Sequence, residues 1–149
     1  MYWESEGNQY FIRFESGEPL LKVLNEFVIS QRIEFGFFEG IGGLRKVKFG
    51  VYNDKTKTYD KHSFSDFCEV VALNGNISLH EGTPFLHVHF LGASGANQFL
   101  AGHLFEAEVA ITIEMKISVS SLQVTRKYEE IEGFKVLQLK NRFICVPDF

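Results

Sequence analysis

Phe85-Leu86-His87-Val88-His89-Phe90-Leu91, followed by Gly102-His103-Leu104, is the stretch on which the fold reading turns. Side chains two apart in a β-strand point to the same face, so this run carries both imidazoles on one side. Gly92-Ala93-Ser94-Gly95-Ala96-Asn97 reads as a loop, after which Gln98-Phe99-Leu100 re-enters a sheet and delivers His103. Two adjacent strands would then bring three rings together. Three neutral imidazoles make a site for Zn²⁺ or a similar transition metal, with a position left for water or substrate. A buried, hydrogen-bonded core histidine gives the same apolar-flanked pattern, and spacing does not separate the two.

Upstream of this run, residues 8–14 alternate as a strand with Tyr10, Ile12 and Phe14 on one face. Ser16-Gly17-Glu18-Pro19 marks a helix start, with proline in the first turn and an acid near the positive end of the dipole. Leu20, Leu21, Val23, Leu24, Phe27 and Val28 repeat at helical spacing to about Gln31, and this stripe needs a sheet to cover it. Gly40, Gly42 and Gly43 lack the lysine and serine or threonine of a phosphate loop, so they predict a tight turn or a bulge. Val47, Phe49 and Val51 alternate with Lys46, Lys48 and Gly50 as a half-exposed strand, and Arg45 is expected to face away from the two lysines. Phe67 to Leu79 reads as one long strand or a pair, with a turn or bulge at Asn74-Gly75. Val109 to Met115 is a further strand, and Val119 to Val124 and Phe134 to Leu139 are the last. Arg126 to Gly133 is expected to be a charged connection. The fold class is therefore α+β: one domain over 1–149, with one principal helix on a mostly antiparallel, curved sheet.

The composition narrows the function classes. At 149 residues one domain is expected. No apolar run approaches the ~20 residues of a membrane span, and Met1-Tyr2-Trp3-Glu4-Ser5-Glu6 has neither the basic start nor the apolar middle of a signal peptide. A cytosolic address is the expectation. Cys68 and Cys145 are far apart and read as reduced thiols. A net charge of −4, with Arg45-Lys46-Val47-Lys48 as the densest basic run, argues against phosphate-backbone binding.

A set of motifs in order resembles one family. Gly17-Glu18 and Gly40-Ile41-Gly42-Gly43-Leu44 come first, then Glu69 to Ile77 and Pro84 to His89. Ala101-Gly102-His103-Leu104 and Val109 to Glu114 complete it. Over about residues 8–120 this resembles the PPC domain (plants and prokaryotes conserved, also written PCC), in its stand-alone form. Ala101 departs from the family, which usually has a first glycine there. The resemblance implies the same α+β fold and adds a homotrimer. The family's plant members carry a separate Arg-Gly-Arg hook for DNA, which this sequence lacks, so direct DNA binding is not expected.

Three functional readings follow. The first is a binding or regulatory module with a His87, His89 and His103 metal site, zinc being the first choice, and a small-molecule ligand as a partner besides the chain itself. The second is a metal-dependent lyase or hydrolase on a small metabolite. That reading needs an acid or base near a metal-bound water, with Glu69, Glu106 and Glu114 as candidates, although Glu114 also suits a structural role. By fold analogy the PPC domain is similar to acetolactate decarboxylase, which also holds zinc with a His-x-His pair and a later histidine. The third is a DNA-associated regulatory protein. His62 and His80 lie in polar stretches and are expected at the surface, outside the site.

Overall fold

The computed structural model describes residues 1–95 and 98–141. In chain order the elements are β1 (Tyr2–Glu6), β2 (Gln9–Glu15), α1 (Leu20–Ser30), β3 (Gly36–Asn53), β4 (Thr58–Phe64), β5 (Cys68–His80), β6 (Thr83–Ala93), β7 (Phe99–Val119), β8 (Thr125–Glu129) and β9 (Phe134–Gln138). The strands join one sheet. Its pairings are antiparallel except for a single parallel rung, Leu79 with Thr125, that attaches β8 to β5. β3 pairs with β5, β5 with β6, β6 with β7, and β7 with β3. Those four pairings form a closed circuit, so the sheet curls back on itself. Among the described residues no helix is long and apolar enough to cross a membrane.

Much of the core lies where the alternation predicts it, but Val51 and Ile111, expected on the apolar faces of their strands, are exposed. Ile12 and Phe14 of β2, Val88 and Phe90 of β6, and Ile113, Met115 and Ile117 of β7 are buried together with Leu20, Leu24, Phe27 and Val28 of α1. The helix follows the expected stripe and stops at Ser30. Its start differs in detail. Pro19 is the extended cap residue, and Glu18 turns away to accept from the Met1 amine and from the Glu15 N–H.

Several expectations change. The glycines at 40–43 lie inside β3, where the register against β5 slips between Gly40 and Gly42. This is the bulge alternative. At Gly42 φ is 140°, and a Cβ would stand 2.1 Å from the Thr112 carbonyl oxygen, so β3 and β7 cross there at a distance only glycine allows. Asn74-Gly75 is not a turn. β5 runs straight through it, and Gly75 leaves room for the Phe38 ring, whose Cζ would be 2.3 Å from a Cβ. Residues 99–119 form one strand rather than two. Val119 to Val124 is not a strand; instead β8 occupies part of the expected charged connection and makes a hairpin with β9. β1 was not expected from the sequence. Arg45 and Lys46 both reach Glu108, at 2.6 and 2.8 Å, because Lys46 adopts a positive φ of 50° and breaks the alternation. The two lysine and arginine hydrogen bonds hold the Glu108 carboxyl below the usual carboxylate range. Cys68 is a buried free thiol, and burial pushes its pKa up. Cys145 lies outside the described residues.

Candidate metal centre

β6 presents Val88 and Phe90 to the core, which leaves His87 and His89 on its other face. β7 pairs beside it with His103 directly across from His89. On its other side β7 meets β3 closely at Gly102, whose φ is 147° and where a Cβ would sit 2.5 Å from the Gly50 carbonyl oxygen. The ring centroids of His87 and His89 are 4.9 Å apart, those of His87 and His103 5.3 Å, and those of His89 and His103 5.6 Å. One nitrogen from each ring lies within 4.8 Å of the others. His87 and His103 are half-buried and His89 is exposed.

The surroundings keep two of these rings neutral. Burial pushes the His87 pKa down to about 4, helped by the Arg126 guanidinium and by His89 and His103. Burial likewise lowers His103 to about 4, helped by His89 and Arg126. At neutral pH both therefore offer lone pairs, which ligation requires. His103 Nδ1 is buried and has no hydrogen-bond partner among the described residues. An imidazole nitrogen buried without a partner fits a ligand position better than it fits a satisfied core histidine.

The carboxylates do not join the cluster. Glu69 is exposed on β5, roughly 16 Å of strand from the rung that carries His89. Glu106 is exposed and paired with Lys48 at 2.8 Å. Glu114 is exposed, on the sheet face opposite the helix, on the rung between Ile41 and Arg13. It is on the order of 35 Å of strand contour from His103. His62 is exposed and leans on Phe49. His80, expected at the surface, is half-buried, with Nδ1 3.1 Å from the Arg126 carbonyl oxygen. Ala101 is exposed and pairs with Leu91.

Two residues of the site were missed in the sequence. Arg126 is only 6% exposed. Its Nε donates to Ser78 Oγ at 2.9 Å, Nη1 to the Lys135 carbonyl at 2.7 Å and Nη2 to Asn76 Oδ1 at 2.8 Å. Nη2 also lies 3.3 Å from His87 Nδ1. Tyr59 places its ring 5.1 Å from that of His103, and burial raises its phenol pKa. Phe105 closes the same side, 4.8 Å from His103. Neither Tyr59 nor Arg126 has a local signature: each stands among charged residues, and tertiary contacts alone bring them here.

Known proteins share this frame. A candidate DNA-binding protein from Bacteroides thetaiotaomicron is 28% identical, with a TM-score of 0.88 over 92% of this chain and 96% of that one. A plant- and prokaryote-conserved protein from Pyrococcus horikoshii is 27% identical, with a TM-score of 0.82 over 95% and 97%. A metal-containing protein from Archaeoglobus fulgidus is 27% identical, with a TM-score of 0.82 over 93% and 99%. No curated protein matches the chain. Residues 2–121 match the Plants and Prokaryotes Conserved (PCC) domain, and the chain belongs to that family.

Proposed function

We propose that this protein is a metal-binding module whose centre is His87, His89 and His103. The observation that carries the reading is the convergence of three ring nitrogens within 4.8 Å, with a buried nitrogen of His103 left without a partner. A tetrahedral zinc with bonds of ~2.0–2.1 Å spaces its ligand nitrogens roughly 3.3 Å apart, so the rings need to draw in only slightly. Exposed His89 has room to do so. The all-imidazole set suits zinc, copper, nickel or iron rather than magnesium or calcium, and zinc is the first choice. The similar Archaeoglobus fulgidus protein is described as metal-containing, which supports the reading. When bound, such an ion would act as a Lewis acid toward an oxygen ligand.

Among the described residues no carboxylate joins the three histidines. That favours a binding or regulatory role over a hydrolase or lyase, because Glu69 and Glu114 are placed too far away to serve a metal-bound water. Two similar structures are described as candidate DNA-binding proteins. Against direct contact with DNA here, the basic run is spent on neighbours: Arg45 and Lys46 on Glu108, and Lys48 on Glu106.

The assembly we propose is a homotrimer in the cytoplasm. The face opposite the helix exposes Tyr2, Phe11, Ile41 and Val71 around a groove of about 870 Å³. Apolar surface of this kind is commonly covered by another chain. Light scattering on the wild type should give the mass of three chains, and a monomer mass at micromolar concentration would remove the trimer. The metal reading is tested by metal content and calorimetric titration on protein purified without a histidine tag. Stoichiometric uptake, abolished in His87→Ala, His89→Ala or His103→Ala, is expected. No uptake of Zn²⁺, Cu²⁺, Ni²⁺ or Fe²⁺ would return the three residues to a structural role.

A further inference from the structure

Arg126 is a buried cation with only neutral partners. Ser78, Asn76, the Lys135 carbonyl and His87 surround its guanidinium, and among the described residues no carboxylate lies within ion-pair distance of it. A guanidinium can only donate, so the fourth contact requires His87 Nδ1 to be the acceptor. The lone pair facing Nη2 at 3.3 Å is therefore committed to Arg126 in the metal-free protein.

Loading the centre removes that acceptor by either route. If His87 ligates through Nδ1, the lone pair goes to the metal. If it ligates through Nε2, neutral imidazole must carry its proton on Nδ1, and that nitrogen then faces Nη2 donor to donor. In both cases a charged N–H is left buried and unsatisfied, which is costly. The charge balance points the same way. Three neutral imidazoles leave a divalent ion uncompensated. Arg126 stands beside it, and the Lys135 ammonium sits 4.8 Å from the Phe85 ring that the Arg126 guanidinium also covers at 5.3 Å.

We infer that the loaded centre binds a small oxyanion, a carboxylate or phosphate-type group shared between the metal position and the Arg126 guanidinium. This rests on the metal reading above and adds to it the chemical class of the ligand. A recess of about 470 Å³ opens beside His87 and His89, bordered by Asn74, Asn76, Ser118 and the Lys116–Glu39 ion pair, and gives such a ligand access to the His87 and His89 side of the metal position. Without the metal the imidazoles are neutral and the Arg126 donors are already engaged, so the apo site offers it little. Anion binding and metal binding should therefore be coupled.

The test uses the full-length protein loaded with Co²⁺, whose visible absorption reports changes in its ligands. Sodium oxalate and inorganic phosphate are titrated separately in a non-coordinating buffer, with the metal-free protein followed by calorimetry as the comparison. A saturable spectral change at submillimolar anion is expected, with binding to the metal-free protein weaker by roughly tenfold or more. A response to oxalate alone identifies a carboxylate ligand, and to phosphate alone a phosphoryl one. Arg126→Gln should weaken the anion roughly tenfold or more while tightening Co²⁺ in anion-free buffer, because the competitor for His87 Nδ1 and a like charge are both gone. A merely structural arginine would weaken both. Arg126→Lys keeps the charge without the fork and should fall between the two. Should Arg126→Gln fail to fold, the wild-type titrations and Arg126→Lys still decide. Co²⁺ uptake with no response to either anion at millimolar concentration would overturn the inference and leave the metal reading standing. The same holds if either variant binds the anions as the wild type does. No Co²⁺ uptake would bring down both.

Discussion

Acidifying the metal-free protein from pH 7 to pH 5 should destabilise it before its carboxylates titrate. His87 and His103 are held to about 4 in the folded chain against 6.5 for a free imidazole. The unfolded chain therefore takes up protons that the folded chain refuses. With the folded value lowered, the stabilising contribution is complete above pH 6.5, declines as the pH falls through that value, and levels off near 4. Each pH unit in that window is worth about 1.4 kcal/mol per ring. By pH 5 each ring has lost about 2 kcal/mol. Both rings are partly exposed and share part of the penalty through each other's field, so about 3 kcal/mol for the pair is the working figure. That is a sizeable share of the ~5–15 kcal/mol that holds a typical domain. The charged and titratable groups facing these rings are Arg126 from β8, His89 from β6 and Tyr59 from β4. Of these, Arg126 stays cationic and the Tyr59 phenol stays neutral throughout. Glu108 cannot contribute in this window, because Lys46 and Arg45 hold it below the usual range. Urea unfolding of the apo protein at pH 7 and pH 5, followed by circular dichroism, measures the effect. The double variant His87→Gln with His103→Gln should show a much flatter dependence, since the amide introduced at position 87 can offer Arg126 a carbonyl in place of the ring. An unchanged midpoint in the wild type, or the same loss in the double variant, would show that the fold does not hold these two rings neutral.

Zn²⁺ uptake should persist below the ~6.5 at which free imidazoles protonate, because two of the three ligands remain neutral down to about 4; a pH-resolved calorimetric titration checks this, and affinity collapsing at pH ~6.5 contradicts it. His62→Ala should leave metal affinity at the wild-type value, as its ring lies against Phe49 away from the cluster; a tenfold change in the same titration would show the site to be wrongly bounded. Gly42→Ala should cost about 4 kcal/mol or more, since its Cβ would overlap the Thr112 carbonyl at 2.1 Å in a backbone of φ 140°; chemical denaturation near the wild-type midpoint would mean that β3 and β7 separate more easily than their pairing implies. No duplex DNA should bind at physiological salt, given a net charge of −4 and the Glu108 and Glu106 pairings of the basic run; a salt-dependent mobility shift with a dissociation constant of ~10⁻⁴ to 10⁻⁶ M would reverse that.

What the sequence shows of this fold, and what it hides, divides along the range of the interactions. The α1 stripe and the alternation of β6 are local patterns, and both stand where periodicity puts them. β1 escaped because all of Tyr2 to Glu6 is exposed, so although the Trp3 ring meets Phe27 and Tyr10, this edge strand has no buried face to reveal it. Asn74-Gly75 carries a turn signature, yet Gly75 is there to admit the Phe38 ring, a contact that only the folded chain creates. Arg126 was hidden in the same way, since its charged neighbours Lys127 and Glu129 read as a solvated connection. Its partners, however, did leave a trace. On β5, Asn74, Asn76 and Ser78 occupy alternate positions around the buried Leu73 and Ile77, a polar row inside an apolar strand. In the antiparallel register that row falls opposite His89, His87 and Phe85. A strand that keeps three polar side chains on one face, beside a neighbour that keeps two histidines there, lines something polar. Ser78 is fully buried, so its hydroxyl needed a polar partner from elsewhere in the chain. Pairing the two alternations calls for some polar partner at this face, and only the folded structure shows that Arg126 supplies it.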